Sequence, residues 1–75
     1  SKDLYWLDEN GVMAKDEWVQ VEGKWYYFEE SGHAVKRNWK LIGEDYYYFL
    51  PSGVMATDAL APGGYRVGAD GRRID

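Results

Sequence analysis

Apolar residues fall along this chain in short blocks punctuated by glycine. Glu17 to Val21 alternates and leads through Glu22-Gly23 into Lys24 to Phe28, the signature of two strands joined by a tight turn. Asn38 to Ile42, Gly43, and Asp45 to Phe49 repeat it. Strand periodicity sets Trp25 and Tyr27 on one face and Tyr26 and Phe28 on the other, so the second strand is aromatic on both faces. Both faces must then be covered, and a hairpin alone is marginal in water. The pattern therefore predicts successive hairpins that stack, each covering its neighbour, with an atypical unit at the end. The stretches around Ser31-Gly32 and Ser52-Gly53 are the connections, where glycine supplies a positive φ.

The blocks recur at a fixed interval. Gly11, Gly32 and Gly53 lie 21 residues apart, and Ala69-Asp70-Gly71 follows after 18. A shift of 21 lays Trp18 on Trp39 and on Leu60, and lays Trp25 to Phe28 on Tyr46 to Phe49. Leu4 to Leu7 matches the same aromatic block from the left, and Gly64 to Val67 matches it from the right after a deletion of three. The chain divides into a half repeat over 1–15, full repeats over 16–36 and 37–57, and a shortened C-terminal cap over 58–75. In that cap Gly63-Gly64 replace the aromatic start, and Arg72-Arg73 follow the turn. A chain that begins inside a repeat reads as a fragment of a larger protein with further repeats upstream.

Size makes repetition necessary. Seventy-five residues form one domain at most, and so short a chain buries too little surface to be stable without a special device. With no cysteine, neither a disulfide framework nor a thiolate metal site is available. Aromatic residues make up 17% of the chain, including seven Tyr and four Trp, and they carry the folding energy. A net charge of −4 argues against a nucleic-acid partner and is compatible with a cationic or neutral ligand. No apolar run approaches the length that spans a bilayer, so no membrane insertion is expected.

Taken together, Trp18-Val-Gln-Val-Glu-Gly23-Lys-Trp25-Tyr26-Tyr27-Phe28, Ser31-Gly32 and the Gly53-Val-Met55-Ala-Thr57 connection resemble the choline-binding repeats of cell-wall-binding proteins. Related repeats occur in streptococcal glucan-binding proteins and clostridial toxins. The resemblance implies an all-β hairpin solenoid, a left-handed superhelix of stacked hairpins with ligand sites between consecutive units. It also implies aromatic boxes built from two rings of one hairpin and a Tyr of the next. On this chain one candidate box is Trp18 and Trp25 with Tyr47 or Tyr48, and another is Trp39 and Tyr46 with Tyr65. A quaternary ammonium has no hydrogen to donate, so aromatic faces are its natural partners, each worth about 0.5 to 2 kcal/mol. Tyr26, Phe28 and Phe49 are assigned to packing.

The chain departs from the family pattern in four places. Glu17 and Asn38 stand where a glycine usually precedes the first-strand Trp, Leu60 replaces the third Trp, and Ala34 replaces the thioether of Met13 and Met55. At most two interior sites are left. His33 lacks a second His or Cys with which to hold a metal, and the acidic pairs Asp8-Glu9 and Glu29-Glu30 precede turns without the glycine-spaced loop of a calcium site. No nucleophile elbow or other catalytic motif is present. The expectation is a secreted, non-catalytic module at a Gram-positive cell surface, without cofactor, that binds choline-bearing teichoic acid. A glucan or host glycan is the alternative ligand, and a spacer with no small ligand, weakly self-associating through its cap, is the alternative role.

Overall fold

The computed structural model describes residues 3–74. Six strands form three antiparallel hairpins in chain order. The first joins β1 (Glu17–Val21) to β2 (Lys24–Phe28), the second β3 (Asn38–Ile42) to β4 (Asp45–Phe49), and the third β5 (Ala59–Ala61) to β6 (Tyr65–Val67). The first four strands occupy the residues at which the alternating blocks place them. No helix is found among the described residues.

The turns follow from local chemistry. Glu22 and Gly23 both take positive φ, 52° and 81°, as a type I′ turn requires, and that turn's twist matches the twist of the flanking strands. In the second hairpin Gly43 alone, at 67°, carries the left-handed conformation. The third hairpin turns through Pro62-Gly63-Gly64.

Register fixes the faces. Trp18 lies opposite Tyr27, and Gln20 opposite Trp25, so both Trp side chains share the front of the first hairpin. Val19, Tyr26 and Phe28 fall on the back. The second hairpin repeats this with Trp39 opposite Tyr48 and Leu41 opposite Tyr46 on the front, leaving Lys40, Tyr47 and Phe49 behind.

Stacking sets each back against the preceding front. Phe28 joins Ala14 and Ala34 in one buried cluster, packed by Trp6, Val19 and Tyr26. Phe49 joins Val35 and Met55 in the next, packed by Trp18, Tyr27, Ile42 and Tyr47. Phe28 and Phe49 are the largest fully buried side chains. The core is thus a set of thin aromatic layers between hairpins, and the molecule is elongated, 39 × 24 × 22 Å.

Backbone hydrogen bonds carry the stack forward. After each hairpin the chain makes a bridge to its own second strand, Phe28 with Ala34, Phe49 with Met55, and Val67 with Arg73. From these bridge positions Ala34 N–H donates to the Leu4 carbonyl, Met55 N–H to that of Trp25, and Arg73 N–H to that of Tyr46, at 2.7, 2.8 and 2.9 Å. Each connector is thereby tied to the hairpin before it, which makes the assembly a β-hairpin solenoid. Lys40 on β3 adds a side-chain tie, donating to Glu29 after β2 at 2.7 Å.

Candidate functional site between the first and second hairpins

Because Trp18 and Trp25 sit diagonally on one face, their indoles stand nearly perpendicular, centroids 6.1 Å apart at 89°. From the back of the second hairpin Tyr47 approaches Trp18 at 4.9 Å and 76°. Edge-to-face geometry of this kind suits the ring quadrupoles. Three rings from two hairpins therefore line a pocket of about 270 Å³, with Met55 and Asp70 completing it. Trp25 is 38% exposed and leaves the pocket open to solvent, whereas Trp18 is held by Tyr27 and Phe49 as well.

Between the two tyrosines proposed for this box, stacking selects one. Tyr47 lies on the back of β4, toward the Trp pair, while Tyr48 lies on the front, 5.3 Å from Trp39. The second group also assembles in part. Trp39 meets Tyr65 of the third hairpin at 6.0 Å and 89°, and Tyr46 shares the face of Trp39. The Trp39 indole N–H donates to the Pro62 carbonyl at 3.2 Å. Above this group stands the guanidinium of Arg73, its carbon 4.8 Å from the Tyr46 ring centre and 4.4 Å from that of Tyr65.

Asp70, on the turn of the cap, is the pocket residue that sequence reasoning missed. Its carboxyl is held below the usual carboxylate range by the Arg72 backbone N–H and then by the Arg72 side chain, which donates to it at 2.8 Å. Arg72 also pairs with Asp45 at 3.6 Å. The pocket thus has aromatic walls and an ionised carboxylate at its rim. Tyr47 stays a neutral phenol beyond the ordinary range, chiefly because burial penalises the phenolate and then because Asp45 is near.

Small residues make room for this arrangement. Gly71 is buried with φ +86°, and a β-carbon there would strike the Met55 thioether that lines the pocket. Gly32 covers Met13 in the same way two repeats earlier, with 2.6 Å between such a carbon and Met13 Cε. Over Ala34, where the thioether is missing, Gly53 instead meets Tyr26 and Leu4. His33 contacts the Ser31 hydroxyl, and the described residues place no group of three or more acidic, His or Cys side chains to hold a metal.

Tandem hairpins with an aromatic pocket between successive units define a repeat-built binding protein. The choline-binding repeat models match residues 1–39 and 33–72, and the chain belongs to the choline-binding repeat family. No curated protein matches the chain. Among solved structures, the choline-binding domain of Spr1274 from Streptococcus pneumoniae is 35% identical with a TM-score of 0.84, over 95% of this chain and 83% of that one. The modular autolysin LytC of the same species, solved with a synthetic peptidoglycan ligand, is 33% identical with a TM-score of 0.86. This match covers 93% of the present chain but spans only 16% of LytC. The choline-binding domain of pneumococcal CbpL is 36% identical with a TM-score of 0.81, over 95% of this chain and 38% of that one.

Proposed function

We propose that this chain is a non-catalytic module that holds the protein carrying it to choline-bearing teichoic acid at a Gram-positive cell surface. The Trp18–Trp25–Tyr47 pocket is its ligand site. The carrying observation is the conjunction of Trp25 and Tyr47, each edge-on to Trp18, with the ionised Asp70 in one pocket. A trimethylammonium head needs aromatic faces around its methyl groups and a negative potential nearby, and it asks for no hydrogen bond. Two or three rings at about 0.5 to 2 kcal/mol each give a site of roughly millimolar affinity, which arrays of repeats raise through avidity.

A glycan fits this pocket less well. Sugar hydroxyls need several converging polar groups, and Asp70 is the single charged side chain among the lining residues. The deciding experiment titrates the chain with choline chloride and, separately, with a short glucan while the Trp18 and Trp25 indole N–H resonances are followed. The proposal expects saturable shifts with choline at millimolar concentration. Shifts with glucan alone would move the function to carbohydrate binding, and silence with both would leave a spacer.

A further inference from the structure

We propose that the aromatic group between the second and third hairpins is a cation site whose occupant is the chain's own Arg73, so that it is closed to free ligand. The choice of choline as probe rests on the function proposed above; the occupancy itself rests on separate geometry.

Arg73 stands where the connector of the previous repeat carries Met55. Both residues bridge the end of their own hairpin's second strand, Met55 with Phe49 and Arg73 with Val67. Both also donate the backbone N–H to the first aromatic of the preceding hairpin's second strand, Met55 to Trp25 at 2.8 Å and Arg73 to Tyr46 at 2.9 Å. The register therefore delivers the two side chains to equivalent places. In the first pocket the Met55 thioether forms part of the wall and leaves space beside the rings. In the second group the longer side chain sets its guanidinium over Tyr46 and Tyr65 together, at 4.8 and 4.4 Å.

A guanidinium suits this position. It is planar, weakly hydrated and permanently charged, so it stacks on rings at little desolvation cost and no physiological pH releases it. It is also tethered. A group held by a short stretch of backbone presents itself to its site at an effective concentration in the millimolar range or above, so a free ligand of millimolar affinity competes poorly. A second cation would also meet the guanidinium charge at close range. The substitution thus turns a would-be ligand site into an internal cation–π clasp that fastens the last hairpin to the one before it.

The test compares the full chain with Arg73→Met and Arg73→Gln. Met is the residue that the same register position carries at 55, and Gln keeps polar bulk without the charge. In the native chain the Trp39 indole N–H is expected to stay still during a choline titration that moves Trp18 and Trp25, and the Arg73 δ-methylene protons are expected upfield, shielded by two rings. In R73M the Trp39 resonance should begin to shift and the calorimetric stoichiometry should rise from one to two. A native Trp39 that shifts over the same concentrations, Arg73 protons at their unstructured position, or a folded R73M and R73Q both silent at Trp39 would each overturn the inference. Silence confined to Trp18 and Trp25 would refute the proposed function and leave the Trp39 readout to decide this one.

Discussion

The Trp18 indole and the Tyr47 phenol meet across the boundary between the first and second hairpins, 4.9 Å apart at 76°. That one contact belongs to the core and to the pocket, because Tyr47 packs in the buried layer around Phe49 and also lines the cavity. If the proposed site binds ligand, folding and binding are therefore coupled at Trp18 and separable at Trp25, which is 38% exposed.

The paired substitutions Trp18→Ala and Trp25→Ala make that difference measurable. W18A removes a ring in contact with Trp25, Tyr27, Tyr47 and Phe49 and should cost about 3 kcal/mol in urea unfolding. W25A should weaken choline binding roughly tenfold, the worth of about 1.4 kcal/mol of cation–π attraction, with a much smaller change in stability. Equal losses of stability in the two variants would contradict the assignment.

Phe49 gives the purest core test. Its side chain is fully buried, and Phe49→Ala should cost about 3 to 5 kcal/mol. A domain this small has a total stability of only about 5 kcal/mol, so a broad, low-temperature transition in circular dichroism is the expected outcome.

Gly71 couples the cap to the pocket through Met55. Gly71→Ala adds a β-carbon at φ +86° and against the thioether, two penalties of roughly 1 to 3 kcal/mol each. Met55→Ala in the same chain should relieve the steric part and leave the backbone part. Met55→Ala also removes a buried core side chain, so the double variant is expected to lose less stability than the two single losses summed, and an additive loss would show that the two residues do not touch.

The repeat and its hairpins were legible because glycine and aromatic residues recur in one register, and each hairpin's faces follow from alternation alone. Alternation does not say which face of the second hairpin meets the first, and so it left Tyr47 and Tyr48 as equal candidates. The contact is set by the connector, through the hydrogen bond from Met55 to the Trp25 carbonyl, and that register is a property of the stack. Asp70 was hidden for a related reason. It reads as a polar turn residue, and only the folding of the cap over the second hairpin carries it to a pocket lined by Trp18 and Trp25. Arg73 was equally quiet, since a basic residue after a turn reads as solvated until two tyrosine rings are found beneath it.

The ionised rim predicts a specific pH profile. Hydrogen bonds from the Arg72 backbone and side chain hold the Asp70 pKa below its ordinary value, so its charge is complete at neutral pH and persists below the usual carboxylate range. A cation bound beside it favours the ionised form further. Choline affinity should therefore stay flat from neutral pH down through the range in which free aspartate titrates, and fall only when the lowered pKa is crossed. Asp70→Asn should lower affinity a few-fold at neutral pH and remove the acidic limb.

At the alkaline end the sign reverses. Burial raises the pKa of Tyr27 and of Tyr47, so the folded chain holds these two protons more tightly than the unfolded chain does. Their contribution to stability is complete below the ordinary tyrosine pKa and is lost as pH rises through the raised values. Lys40, raised by its hydrogen bond to Glu29, loses its contribution in the same direction. Tyrosinate absorbance from Tyr27 and Tyr47 should then appear only above the ordinary tyrosine pKa, with the hairpins coming apart as it does. Tyr47→Phe should keep the edge-on contact with Trp18, since that contact uses the ring rather than the hydroxyl, and shift the loss of structure to higher pH. A Y47F chain that unfolds at the native pH would place the alkaline limit elsewhere, with the Lys40–Glu29 pair between the same two hairpins next in line.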